Sequence, residues 1–419
     1  MIRLDLNQSN ENLINSHFQE LCCDNFKQSR FKGGQSVADL ALSSLDITGY
    51  AKKRNNVYPI EKRGSSNLSP YIRHGLLSLR DVWDRVEEFK YEDKSKFRDE
   101  LLWQEFSRHL YAIIGEKSKN YLNFEVKSNA YKNNNLNEMN CIKTIEDELE
   151  DSGYMVNQTR MWYASHFSLR ESIDWSVHED KMFKHLIDGS RAANRLGWHW
   201  VMGSQTGKPY GFSKFQVNKR ASMLCNDCNL KFNCPIENWP ESIETSPKNL
   251  DMDFDIISKF GPTEIISYSD SDPTHVWLTA ESLGDNDPAL EQLNELPVIF
   301  IFDEILLKHL QISTKRISFL IDTLKEINQK KELEVILGNP FDVLKNIKFA
   351  STFAPVPKYR KITDSCPPTL EFPSSPIWPY RGCYARFLAI PRSCLCCLPK
   401  GHFSTQSICD GNIPTGGRS

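Results

Sequence analysis

The stretch Asp188-Gly189-Ser190-Arg191-Ala192-Ala193-Asn194-Arg195-Leu196-Gly197-Trp198-His199-Trp200 sets an acid, two small residues, an amide and two tryptophans close together. Such a set can wrap a large planar cofactor. Ala192 and Ala193 permit close approach, Asn194 offers an amide to a heteroaromatic edge, and Trp198 is an oxidisable ring. A tryptophan-rich buried helix is also a common core element, so the weight of this run depends on what surrounds it.

Two sets of residues upstream bear on the same chemistry. Gly64-Ser65-Ser66-Asn67-Leu68-Ser69-Pro70-Tyr71, followed by Gly75-Leu76-Leu77-Ser78-Leu79-Arg80, offers hydroxyls just before a helix start. Such hydroxyls serve as ordinary N-caps, and the same donors bind phosphate at a helix N-terminus. In Asp99-Glu100-Leu101-Leu102-Trp103-Gln104-Glu105-Phe106-Ser107-Arg108-His109-Leu110, Glu100 and Trp103 are three apart and share one helical face.

Taken in order, these runs resemble the DNA photolyase and cryptochrome family. The Asp188 run is similar to the family's DGDxAxNxxxWxW, the Gly64 run to its TSxLSPyLxxGxLSxR, and the Asp99 run to its nELxWREFyrHL. Tyr50 with Arg54-Asn55 is similar to its Tyr-xxx-Arg-Asn, and Val156-Asn157-Gln158-Thr159-Arg160-Met161 to its HNRxRM. The resemblance implies FAD held by Tyr50, Ser65, Ser66, Leu68, Ser69, Arg160, Asp188 and Asn194, with Arg160 paired to Asp188. It also implies a lesion pocket of Glu100, Trp103, Asn157, Met161, Asn194 and Trp200, in which the Glu100 carboxylate bonds a pyrimidine and the Trp103 indole stacks on it. Trp198 and Trp175 match the inner two members of the family's electron-transfer chain, and no outer one is matched. Met161 stands where the branch acting on cyclobutane dimers keeps Met.

The implied activity is that of a deoxyribodipyrimidine photo-lyase on damaged DNA, preferentially single-stranded, because Gln104 and Gln158 stand where the family carries arginines. The alternative is a cryptochrome-type blue-light photoreceptor without repair. Those two glutamines favour it, as does Ser190 in place of the second Asp of DGD.

Cysteines add a second signal. Cys225-x2-Cys228-x5-Cys234-Pro235 forms a tight thiol group, and Cys141 precedes the Asn157 run. Four soft ligands suit zinc or an iron-sulfur cluster, and composition does not choose between them. The resemblance implies a 4Fe-4S cluster, since one bacterial branch of the family places cysteines in matching positions.

Length, charge and hydropathy bound the rest. The chain has 419 residues, which predicts more than one domain. A net charge of −3 requires any DNA contact to come from a local basic patch, drawn from Lys52, Lys53, Arg54, Arg73, Arg191, Arg195, Lys208, Lys214, Lys219 and Arg220. Residues 1–18 lack an apolar h-region and no 18-residue apolar run occurs, so a cytoplasmic protein, monomeric and without a membrane span, is expected. Twelve cysteines in that setting read as reduced thiols and metal ligands.

Periodicity, together with the resemblance, divides the chain into an N-terminal extension (1–30), a helical domain that the resemblance implies binds FAD (31–240), a linker (241–264), an α/β domain (265–357) and a disordered or atypical tail (358–419). Helical recurrence covers 68–89, 99–114, 144–150, 154–169 and 180–186, with a polar loop at 120–137. Strands are expected at 275–278, 297–303 and 333–340, with an amphipathic helix over 314–328 between the last two.

That gives an all-α domain followed by a partial parallel α/β, Rossmann-like domain. VWLTAESLGDNDPAL (276–290), PVIFIFD (297–303) and LEVILGNPFDVL (333–344) resemble the family's antenna domain, which in ordinary members comes first. The chain therefore reads as circularly permuted. Thr279, Ala280, Glu281 and Ser282 replace the family's basic RRDLR stretch, which argues against a second, antenna chromophore. The tail cysteines Cys366, Cys383, Cys394, Cys396, Cys397 and Cys409 lack metal-ligand regularity.

Overall fold

Leu333–Gly338, Val298–Asp303 and His275–Leu278 are short apolar runs rich in β-branched and aromatic residues, and in the computed structural model they pair in parallel as the centre of a sheet. Residues 1–128, 138–171, 174–238, 243–248 and 261–374 are described. They belong to one unit, residues 1–377, while 378–419 form another that lies outside them.

The strands in chain order are β1 (Ile2–Arg3), β2 (Phe124–Ser128), β3 (Ile243–Pro247), β4 (Ile266–Ser267), β5 (His275–Leu278), β6 (Val298–Asp303), β7 (Leu333–Gly338), β8 (Phe349–Thr352) and β9 (Leu370–Phe372). Seven of them make one sheet in the order β1-β7-β6-β5-β8-β9-β4. The five inner strands are parallel and doubly wound, reversing direction of travel between β5 and β8. The edges are antiparallel: Ile2 faces Leu337 at one and Ile266 faces Glu371 at the other.

Every residue of β6 is buried because both faces of the sheet are covered. On one face Val298, Phe300 and Phe302 join the large core that continues into the helical lobe, where Tyr71 meets Phe319 and Phe18 meets Phe302. On the other, Ile299, Ile301 and Trp277 pack under Tyr359 and Ile362 of the Pro357–Ser365 helix. The Trp277 and Tyr359 rings stack at 5.6 Å.

This corrects the expected domain boundaries. The tail does not begin at 358, because Pro357–Ser365 and β9 complete the α/β layer. An uncovered second face of the sheet would leave Trp277, Ile299 and Ile301 in water, and Tyr359 and Ile362, three apart on one helix face, prevent that. Nor are residues 1–30 an appendage. β1 extends the sheet, and Asp24 caps the Thr314–Lys330 helix, its Oδ1 accepting from Thr314 N at 2.7 Å while Lys315 Nζ lies 2.7 Å from Oδ2. Part of the expected polar loop and part of the linker are strands: β2 pairs with β3 in register from Phe124↔Pro247 to Ser128↔Ile243. Residues 129–137 of the loop and 241–242 and 249–260 of the linker lie outside the described residues, as do Cys383, Cys394, Cys396, Cys397 and Cys409.

The helical lobe follows its periodicity with longer or broken helices. The 99–114 run begins at Tyr91 and ends at Ile114. The 68–89 run divides into Ser69–Arg73 and Leu79–Arg85 around Gly75. Gly75 has φ +68°, and a Cβ there would lie 2.7 Å from Ser282 Cα, so backbone of the helical lobe touches backbone of the α/β lobe at that point. No helix among the described residues is long and apolar enough to cross a membrane.

Candidate functional site

The Leu196–Met202 helix lies against Asn157–Ser165, and the Arg191–Arg195 turn against Tyr91–Ile114, which brings the sequence-derived site residues onto neighbouring elements. Arg160 Nη2 donates to Asp188 Oδ2 at 2.7 Å. Asp188 is buried, and its Oδ1 has no hydrogen-bond partner. Asn194 Oδ1 accepts from the Ser190 backbone N–H at 2.6 Å, so its carbonyl shapes the loop after Asp188.

Tyr154, which sequence reasoning missed, joins the cradle together. Burial raises the pKa of its hydroxyl, while Arg160, Asp188 and the nearby Ser65 and Ser69 side chains act on it electrostatically. Its signal in the sequence was its position directly before the Asn157 run, where an aromatic reads as ordinary core. Leu68 is buried, and Ser66 Oγ accepts from Leu68 N at 3.4 Å.

Tyr50 stacks edge-on with Phe97 at 5.0 Å, and burial, then Glu100, raise its hydroxyl pKa. Arg54 Nη1 donates to Glu100 Oε1 at 2.6 Å, so that carboxylate is already engaged. Trp103 meets Phe106 edge-on at 5.9 Å. Asn157 Nδ2 reaches Met161 Sδ at 3.7 Å, and Trp200, 40 % exposed, lies 5.8 Å from Tyr210. Among the described residues no hydrogen bond or ring contact links Trp103 to Met161 or Trp200. Trp175 and Trp198 are 6.4 Å apart between ring centroids, and Trp198 is the more deeply buried at 1 % exposed.

Two expectations about charge need correcting. Gln158 does not face outward: it is buried and its Nε2 donates to Tyr210 Oη at 2.8 Å. Several cations counted toward a basic patch are internal. Arg191 and Arg195 converge on the buried Glu179, and Arg73 pairs with Glu281 at 2.6 Å. A buried carboxylate without a cation costs several kcal/mol, so these arginines are consumed by neutralising the interior.

The four cysteines meet. Cys141 on the Asn140–Ser152 helix, Cys225 near the end of Lys214–Asn226, Cys228 and Cys234 line one pocket with Met139, Leu224 and Ile236. Burial, then the other three sulfurs, push the Cys141 thiol up, and burial is also the first cause of the rise at Cys225 and Cys234. The only three His, Cys, Asp or Glu donor atoms among the described residues lying mutually within 4.8 Å are those of Cys23, Asp24 and His185. No three of the pocket sulfurs are that close. In the Cys23 group Asp24 is committed to Thr314 and Lys315, and the buried Lys315 ammonium already holds its carboxylate.

Residues 97–229 match the family described as the FAD binding domain of DNA photolyase. A deoxyribodipyrimidine photo-lyase of Vibrio cholerae is 31% identical over 165 residues, covering 36% of this chain and 35% of that protein. One of Agrobacterium fabrum is 29% identical over 183 residues, covering 39% and 38%. The alignment to a Buchnera aphidicola subsp. Baizongia pistaciae photo-lyase is longer, 28% identical over 230 residues and covering 50% and 46%. The chain thus spans about a third to just under half the length of these relatives. A solved cryptochrome structure from Synechocystis sp. PCC6803 superposes with a TM-score of 0.40 at 20% identity, covering 47% of this chain and 45% of that one. Over residues 97–229 and the aligned stretches of these relatives, the chain is similar to the DNA photolyase and cryptochrome family.

Proposed function

We propose that the chain is a FAD-dependent blue-light flavoprotein that reverses cyclobutane pyrimidine dimers in DNA. The observation that carries the FAD reading is Asp188: buried, fixed by Arg160 through one oxygen, and presenting the other without a partner. An orphaned buried carboxylate oxygen is expensive, and a cofactor donor at that place would satisfy it. Bound FAD supplies the light-driven one-electron chemistry.

The chain's own residues do the positioning. Ser65, Ser66 and Ser69 offer hydroxyls for a diphosphate beside a helix start, Tyr50 and Leu68 wall the cradle, and Asn194 shapes its floor. Trp198 and the neighbouring Trp175 form a short electron path. A flipped dimer would stack on Trp103, with Asn157, Met161 and Trp200 as the remaining wall, and flipping is easiest at a damaged site.

The four thiols would hold a 4Fe-4S cluster. What supports a metal centre is the convergence of four soft ligands on one pocket. A second reading, photoreceptor without repair, is favoured by one contact: the Glu100 carboxylate that would bond a pyrimidine is held by Arg54.

Purified protein should be yellow, release FAD on heating and, with chemically reduced flavin, remove cyclobutane dimers under blue light. Trp103→Ala should weaken dimer binding by roughly 1 to 3 kcal/mol with FAD content unchanged. A colourless protein that cannot be reconstituted rules out the flavin reading. A flavin-loaded, reduced protein that leaves dimers intact in single- and double-stranded DNA rules out repair and selects the photoreceptor.

A further inference from the structure

The carbonyl of Gly189, the residue directly after Asp188, accepts two guanidinium donors. Arg73 Nε reaches it at 2.9 Å from the helical lobe, and Arg316 Nη2 at 2.8 Å from the first turn of Thr314–Lys330 in the α/β lobe. The approach is tight, since a Cβ on Gly189 would lie 2.6 Å from Arg316 Nη1 and 2.6 Å from Phe183 O. One residue before Asp188, the Ile187 carbonyl faces His74 Nε2 at 3.0 Å, and His74 Nδ1 faces Ala280 O of the α/β lobe at 2.9 Å. The flavin-facing loop is therefore held from the α/β side on both flanks of Asp188.

Arg316 is an unusual group to bury. It is 5 % exposed, yet its Nε and Nη1 have no hydrogen-bond partner, and Arg73 Nη1 has none either. A buried guanidinium with unmade hydrogen bonds costs stability, and exchanging it for an apolar side chain of similar length is often neutral or better for the fold. Packing alone does not account for it. Arg316 also lies within electrostatic range of Asp188 and Arg73, with burial and Arg73 lowering its pKa to about 9, so it remains a cation at neutral pH.

We propose that Arg316 is a positioning residue: from the α/β lobe it fixes the Gly189 peptide and so aims the Asp188 carboxylate into the cradle. The α/β lobe serves the cofactor site through this contact. This rests on the reading of Asp188 as a FAD contact.

The test compares Arg316→Met and Arg316→Lys with Glu326→Gln. Glu326 lies on the same helix and binds Ser36 N and Oγ, away from Gly189. Three quantities are read: amide exchange at Gly189 and Ser190 in FAD-free protein, the dissociation constant for added FAD, and the melting temperature. Arg316→Met should speed exchange at those two amides and weaken FAD binding by about tenfold or more, the value of a charge-assisted hydrogen bond, with little change in melting temperature. Arg316→Lys should fall between it and the parent. Glu326→Gln should leave exchange at 189–190 and FAD affinity unchanged.

Unchanged exchange and FAD affinity in Arg316→Met would overturn the proposal. So would an affinity loss that tracks melting temperature across all three variants. If the parent protein takes up no FAD, the reading of the site fails, and amide exchange alone then decides whether Arg316 orders the loop. If Arg316→Met does not fold, the Lys variant carries the same three readouts.

Discussion

The flavin cradle and the four-thiol pocket lie in the same helical lobe but are completed in different ways. In the cradle the protein neutralises its own charges, with Arg160 on Asp188 and Arg54 on Glu100, so the polar frame stands before anything binds. In the pocket burial first, and then each neighbouring ionised sulfur, makes a thiol harder to ionise, as at Cys141, so the thiols cannot reach their ligating form together without a cation. On the proposed reading, one site is preorganised for a ligand bound by complement, and the other would be assembled by its metal.

The sharpest way to break that contrast is to remove the thiols. Cys225→Ser with Cys228→Ser should abolish metal content, from about four irons and four sulfides per chain, the stoichiometry of a cubane, to none. It should also loosen the Asn140–Ser152 helix from Lys214–Asn226, while FAD uptake survives. Elemental analysis of anaerobic protein and amide exchange of the two helices check this, and one zinc in the parent would move the pocket to the structural-metal class.

The cradle should respond differently. Arg160→Met leaves the buried Asp188 without its cation and should cost about 3 to 5 kcal/mol of unfolding free energy, with most of it restored by adding Asp188→Asn. Denaturant titration of the single and double variants measures it, and equal losses in both would show that the pair is not a charge-neutral unit.

A smaller effect concerns pH. His199, between the two tryptophans of the cradle helix, is buried, and burial lowers its pKa to about 4 from 6.5. The unfolded chain therefore binds a proton that the folded one refuses between those values. Stability from this group is present above pH 6.5 and is lost as pH falls toward 4, on the order of 3 kcal/mol in all. Unfolding midpoints between pH 7 and 4, for the parent and His199→Gln, should show a shallower slope in the variant.

Much of this arrangement was legible because the chemistry sits in runs. Glu100 with Trp103, or Cys225 with Cys228, are brought together by one element, and period and spacing reveal them. The inner strands at 275–278, 298–303 and 333–338 were equally visible as short apolar runs. What escaped depends on distant partners. Two-residue β1 has no pattern of its own and is a strand only against β7. β2 and β3 are polar and exist only as a pair, Ser128 lying opposite Ile243, 115 positions further along the chain. Tyr154 matters because Ser65 and Ser69 reach it, and Gln158 turned inward because Tyr210 and Gln216 lie there. The helix at 357–365 was hidden by a shift to Pro, Ser and Cys that begins nearby, although Tyr359 and Ile362 already marked an apolar face.

The pairing of β1 with β7 sets a timetable for synthesis. Arg3 lies opposite Ile336, and Phe18 packs on Phe302. At 5 to 20 residues per second, roughly 15 to 70 s separate the emergence of these partners from the ribosome. Through that interval Leu13, Ile14 and Phe18, all buried at the end, have nowhere to go. The segment that opens the chain thus waits for partners made more than 280 residues later, from Phe18 to Phe302 and from Arg3 to Ile336.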